Sequence, residues 1–75
     1  MKAKLELTAV FEEAHEGGYI AFIEEIPGVN TQGETLEEAK SNLVEALYLI
    51  METQRMHAKK ELGNRTVIRE SVELV

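Results

Sequence analysis

The 75 residues, 44% of them hydrophobic, suffice for one domain with one small core, and such a short fold needs further support to be stable. The absence of Cys excludes disulfides and thiolate metal sites, which leaves oligomerisation as the expected support and fits a reducing, cytoplasmic setting. The formal net charge of −6 is unevenly spread: residues 1–50 hold ten Glu against Lys2, Lys4 and Lys40, whereas residues 51–75 hold four Glu against five Lys or Arg. Phosphate backbones repel such a surface, so no direct nucleic-acid binding is expected and a basic protein is the better electrostatic match.

No apolar run reaches the roughly 20 residues that cross a bilayer, and Met1-Lys2-Ala3-Lys4-Leu5 leads into alternation instead of a signal-peptide core. A protein that is neither membrane-bound nor processed is expected. Leu5, Leu7, Ala9 and Phe11 alternate with Lys4, Glu6, Thr8, Val10 and Glu12, the period of a strand with one buried face. His15-Glu16-Gly17-Gly18 supplies a tight reversal, and Tyr19-Ile20-Ala21-Phe22-Ile23 is aromatic and β-branched enough for a second strand. A turn centred on Glu16-Gly17 or on Gly17-Gly18 sets odd residues of the first strand opposite even residues of the second. The expected core face is then Leu5, Leu7, Ala9, Phe11, Ile20 and Phe22, and the opposite face carries Val10, Tyr19, Ala21 and Ile23 as a candidate contact surface.

Glu25-Ile26-Pro27-Gly28 interrupts the sheet with a turn, Val29-Asn30-Thr31-Gln32 is a short third strand, and Gly33 closes it. Thr35-Leu36-Glu37-Glu38 matches a capping box, which fixes the helix start. On a helical wheel Leu36, Ala39, Leu43, Val44, Ala46, Leu47, Ile50 and Met51 share one broad arc, so one helix face is expected to pack on the sheet. Beyond Met51 that arc carries Gln54, His57, Ala58 and Glu61. A helix from Leu36 to about Leu62 is thus expected to overhang its platform, with Gly63 as its C-terminal cap. Leu49 and Met56 lie on its outward side. With Val10, Tyr19 and Ile23 they are the candidate contacts of a homo-oligomer, dimer or higher. Residues 66–75 alternate again around Ile68, Val72 and Leu74, which predicts a fourth strand, with Glu70 marking it as an edge or intersubunit position. The expected fold is one α+β domain over 1–75, a two-layer β-β-β-α-β arrangement with one long helix on one face of an antiparallel sheet.

Chemistry finds little support. His15 sits in a turn and His57 on the helix, with only Glu61 one turn further on, less than a metal site needs. The carboxylates Glu12, Glu13, Glu16, Glu24 and Glu25 form a solvated acidic rim without an enclosed cleft and are the candidate partner-binding residues. Gly17-Gly18 leads into a strand and not a helix N-terminus, so it is no phosphate loop. No catalytic residue, cofactor or metal is expected.

Gly18-Tyr19, Glu25-Ile26-Pro27-Gly28, Thr31-Gln32-Gly33-Glu34-Thr35, Glu38-Ala39, Asn42 and Glu45-Ala46 resemble, in order and spacing, the HicB-like antitoxin family. The run from Pro27 to Ala39 is its specific part. The resemblance implies a three-strand meander, a helix and a fourth strand, likened to part of a double-stranded-RNA-binding or RNase H-like fold. It further implies neutralisation of a HicA-like toxin, a small basic ribonuclease that cleaves messenger RNA, by direct binding over its active site. The motif residues have mainly structural explanations: Pro27 and Gly28 for the turn, Gly33 and Thr35 for the approach to the helix, Ala39 and Ala46 for close helix-to-sheet contact. Glu24 stands where many members carry Pro and Val29 where many carry Cys. Many full-length antitoxins append an operator-binding domain, and this sequence ends after the expected fourth strand. The alternative expectation is therefore a solitary, self-assembling interaction protein with no toxin partner.

Overall fold

The computed structural model describes residues 6–73. Three antiparallel strands, β1 (Ala9–Glu13), β2 (Tyr19–Ile23) and β3 (Asn30–Gly33), form a sheet in the order β1-β2-β3, and one helix, α1 (Leu36–Leu62), lies on one face. This is the expected two-layer α+β arrangement. The first hairpin closes through Ala14 N–H to the Gly18 carbonyl (2.9 Å) and Gly17 N–H to the Ala14 carbonyl (3.1 Å). In the second, Pro27 and Gly28 fill the centre of a turn in which Val29 N–H reaches the Ile26 carbonyl (3.5 Å), and Gly28 takes φ 92°.

The helix begins where its cap places it. The Thr35 hydroxyl accepts from Glu38 N–H at 3.0 Å, Glu37 and Glu38 occupy the positive end of the dipole, Lys59 and Lys60 the negative end, and Gly63 N–H closes the last turn on the Lys59 carbonyl. Helix and sheet meet through small residues. A side chain on Gly33 would stand 2.4 Å from the Ala39 backbone nitrogen, and one on Gly18 would stand 2.6 Å from the Gly33 carbonyl oxygen. Both glycines are therefore required by contact distance. The buried core is Ala21, Ile23, Val29, Ala39 and Leu43, with Phe11, Tyr19, Ile26, Ala46, Leu47 and Ile50 packed around it.

Three expectations are corrected. The pairing is Ala9 with Ile23, Phe11 with Ala21 and Glu13 with Tyr19, odd with odd, because the hairpin loop is one residue longer than a two-residue turn allows. That one-residue difference reverses β2. Tyr19, Ala21 and Ile23 turn toward the helix with Phe11, and Ile20 and Phe22 turn away from it beside Val10 and Glu12. Leu7 precedes β1 and is exposed, and the expectation for Leu5 lies outside the described residues.

The fourth strand is absent among the described residues. Residues 65–73 are irregular and exposed, with Ile68 at 91% and Val72 at 83% accessibility, and Leu74 and Val75 lie outside the described residues. The physical reason is placement: the 12 helical residues after Ile50 carry the chain about 18 Å past the last core contact, where no strand of its own sheet is alongside. Lastly, the helix's buried arc is narrower than the wheel suggested, since Leu36, Val44 and Met51 are about half exposed. No helix among the described residues is long and apolar enough to cross a membrane.

Gly33→Ala is expected to lower unfolding stability by about 2 kcal/mol, the usual scale for forcing a methyl into a packed contact. A urea titration checks it, and an unchanged midpoint would contradict the close approach of helix and strand.

Candidate protein-binding surfaces

The expected acidic rim is divided by the sheet. Glu12, Glu13 and Glu16 gather at the β1–β2 hairpin, while Glu24 and Glu25 lie in the β2–β3 turn at the other end. Five-residue strands separate the two groups by roughly 14 Å. They cannot form a single acidic spot.

Glu25 is engaged within the chain. Its carboxylate accepts from the Thr8 hydroxyl (2.6 Å) and from Thr8 N–H (2.7 Å), clamping the β2–β3 turn to the residue before β1, while Glu24 N–H reaches the Thr8 carbonyl (2.9 Å). Those two bonds from Thr8, the hydroxyl first, hold the Glu25 carboxyl below its ordinary value of 4.5. Its role is thus to fasten a turn. The sequence held no sign of this, because the partners stand 17 residues apart.

At the hairpin end Glu16 is joined by Glu34 and Glu38, which sequence reasoning did not single out as a binding group. They line an open concavity between the hairpin and the start of α1, together with Gly18, Gln32 and Asn42. Asn42 earns its place in the motif here: its side-chain amide donates to the Gln32 carbonyl (2.9 Å), tying the helix to the outer edge of β3. The other outward surface is the sheet face opposite the helix. Across it run two rows, Val10–Phe22–Asn30 and Glu12–Ile20–Gln32, giving an apolar centre with an acidic and amide margin.

The candidate oligomer contacts separate in the same way. Ile23 is buried and so is not available to a partner, a consequence of the reversed β2 face, while Tyr19 packs against the core but stays partly exposed at the concavity. Val10 remains on the open face, and Leu49 and Met56 are 69% and 70% exposed on the helix. His15 lies in the hairpin loop and His57 on the overhanging helix, and no group of three or more metal-ligating side chains occurs among the described residues.

A family model described as UPF0150-like matches residues 3–58, which takes in the whole sheet and most of the helix. The chain belongs to the UPF0150-like family. A UPF0150 protein of Synechocystis sp. is 44% identical over 64 residues, covering 85% of this chain and 89% of the relative. Among other UPF0150 proteins, one of Thermoplasma acidophilum is 30% identical over 56 residues (75% of this chain, 81% of the relative). One of Thermotoga maritima is 39% identical over 46 residues (60% and 61%). No solved structure matches the chain. The UPF0150-like match spans every motif residue from Gly18 to Ala46, and several of them serve the packing of the fold, Gly18 and Gly33 by contact distance, Thr35 as cap and Asn42 as a tie.

For Glu25 the sign follows from its lowered folded value: the Thr8 clamp is fully present above about pH 4.5, the unfolded value, and is lost as pH falls through the lower folded value. Thr8→Val is expected to return the Glu25 carboxyl toward its ordinary value in a carbon-13 NMR titration. A value already ordinary in the unaltered protein would contradict the clamp.

Proposed function

We propose that this UPF0150-like chain is a protein-binding module of the antitoxin type, which self-associates and neutralises a small basic HicA-like ribonuclease by covering its active site. The observation that carries the reading is surplus surface. The chain exposes 7083 Å², where a compact monomer of its 8.4 kDa is expected to expose about 4600 Å². Exposed apolar residues contribute to it: Ile20 on the sheet, Val44, Tyr48, Leu49 and Met56 on the helix, and Ile68 and Val72 in the irregular segment that follows. Extensive open surface of this kind favours contact with another polypeptide over an enclosed reaction site.

Charge selects the partner. Ten of the fourteen acidic residues precede residue 51, and they fringe both ends of the sheet, so a basic protein gains attraction on approach and a phosphate backbone does not. The open sheet face would supply the contact: Val10, Ile20 and Phe22 form its apolar centre, and Glu12 at its margin is available to basic side chains of a ribonuclease. Cationic residues that serve a nuclease in holding RNA would thereby be occupied. The resemblance of the motif run to HicB-like antitoxins supports the same reading.

Co-expression with a small basic ribonuclease encoded beside this chain is expected to restore growth and to yield a co-purifying complex. Phe22→Glu is expected to weaken that complex by about 30-fold or more, the scale of a central interface residue. Absence of both complex and rescue would overturn the toxin reading. Self-association without any toxin, the second reading, is favoured by the uncovered helix, and an assembled protein that fails to bind the ribonuclease would support it.

A further inference from the structure

The face of α1 beside its buried arc carries a second stripe. Val44, Tyr48, Met51, Arg55, Ala58 and Leu62 follow one another at alternating steps of four and three residues, the heptad spacing of a helix-pairing seam. At about 100° per residue they share an arc of about 80°, centred roughly 100° round the helix from the stripe that meets the sheet. All but Leu62 are exposed, Tyr48 to 72%. The stripe runs about 27 Å and continues along the part of the helix that has left its own sheet.

We infer that this stripe is the seam of an antiparallel helix pair between two copies of the chain, with Tyr48 of each copy seated on Ala58 of the other. This rests on the self-association proposed above and names its surface. Three observations commit the seam to a second copy in this direction. The first is charge: the helix begins with Glu37 and Glu38 and ends with Lys59 and Lys60, and Glu45 and Glu52 precede Arg55. An antiparallel partner brings Lys59 beside Glu45 and Arg55 beside Glu52, and it opposes the two helix dipoles. A parallel partner would stack like charges along the same line.

The second observation is size matching. An axis near Thr53 sets Val44 opposite Leu62, Tyr48 opposite Ala58 and Met51 opposite Arg55, so the largest side chain of the stripe meets the smallest. Such alternation of large and small is what a close helix contact requires. The third is exposure. Val44, Tyr48 and Met51 stand about half exposed or more along the stripe, apolar surface that a second helix laid on it would cover. In this arrangement the overhang of each helix lies along the middle of the other. The half that lacks a sheet of its own is covered in trans.

The cysteine-free chain makes the direction and register readable by cross-linking. Tyr48→Cys and Ala58→Cys in one chain stand ten helical residues apart, about 15 Å, too far for a disulfide within the chain. Under mild oxidation this double variant is expected to form a covalent dimer, and each single variant is expected to remain uncrosslinked. Val44→Cys with Leu62→Cys is a second pair with the same expectation. Circular dichroism establishes that each variant is folded, and Met51→Glu is expected to sediment as a monomer. Single variants that cross-link as readily as the double would overturn the antiparallel seam, as would folded pairs that both fail. A wild-type monomer at all concentrations in sedimentation would remove self-association as well. A wild-type dimer with no cross-link at either pair would remove the seam alone.

Discussion

The constraint on which the structure depends is the close seating of a long helix on a very small sheet. Gly33 and Ala39 let the first turns of α1 reach β3 at backbone contact distance, and Ala21 beneath them keeps the layer thin enough for Leu43 to reach Ile23 and Val29. Three strands of five, five and four residues offer about 17 Å of platform to a helix of 27 residues and about 40 Å. The helix therefore runs out of sheet before it runs out of residues. The Cα radius of gyration is 16.2 Å against about 11 Å for a compact chain of this length, to which the overhanging helix and the irregular residues 65–73 both contribute.

From that mismatch follow the surfaces available to other proteins. The sheet is covered on one side only, which leaves Val10, Ile20 and Phe22 facing outward. The helix is covered along one stripe over its first half and along none over its second. Carboxylates lie at both ends of the sheet, while Arg55, Lys59 and Lys60 fall in the second half of the helix beside Glu52 and Glu61. Under the proposed function, the acidic sheet would meet a basic partner and the helix flank a second copy of the chain.

Much of this was legible in the residues. The Thr35 cap, the Pro27-Gly28 turn and the helix from Leu36 to Leu62 follow from local chemistry that tertiary contacts do not override. The sheet faces were not legible, because they depend on whether the first hairpin closes over two residues or three, and Glu16, Gly17 and Gly18 satisfy either. One residue of loop reassigned Tyr19, Ala21 and Ile23 from surface to core. The pattern at 66–75 has the alternation of a strand, yet alternation states only which side a residue would face, not whether a neighbouring strand exists. The Thr8–Glu25 clamp and the Asn42–Gln32 tie escaped for another reason: each joins residues whose proximity arises only once the layers are assembled.

Central to the proposed association is that one copy of the chain is incomplete and draws stability from a second. The direct measurement is the midpoint of thermal unfolding as a function of protein concentration. A folded form stabilised by a second copy must unfold at higher temperature as concentration rises, since mass action favours the assembled state. The expected result is a midpoint that climbs steadily across the micromolar range. A midpoint unchanged over a hundredfold range of concentration would contradict it.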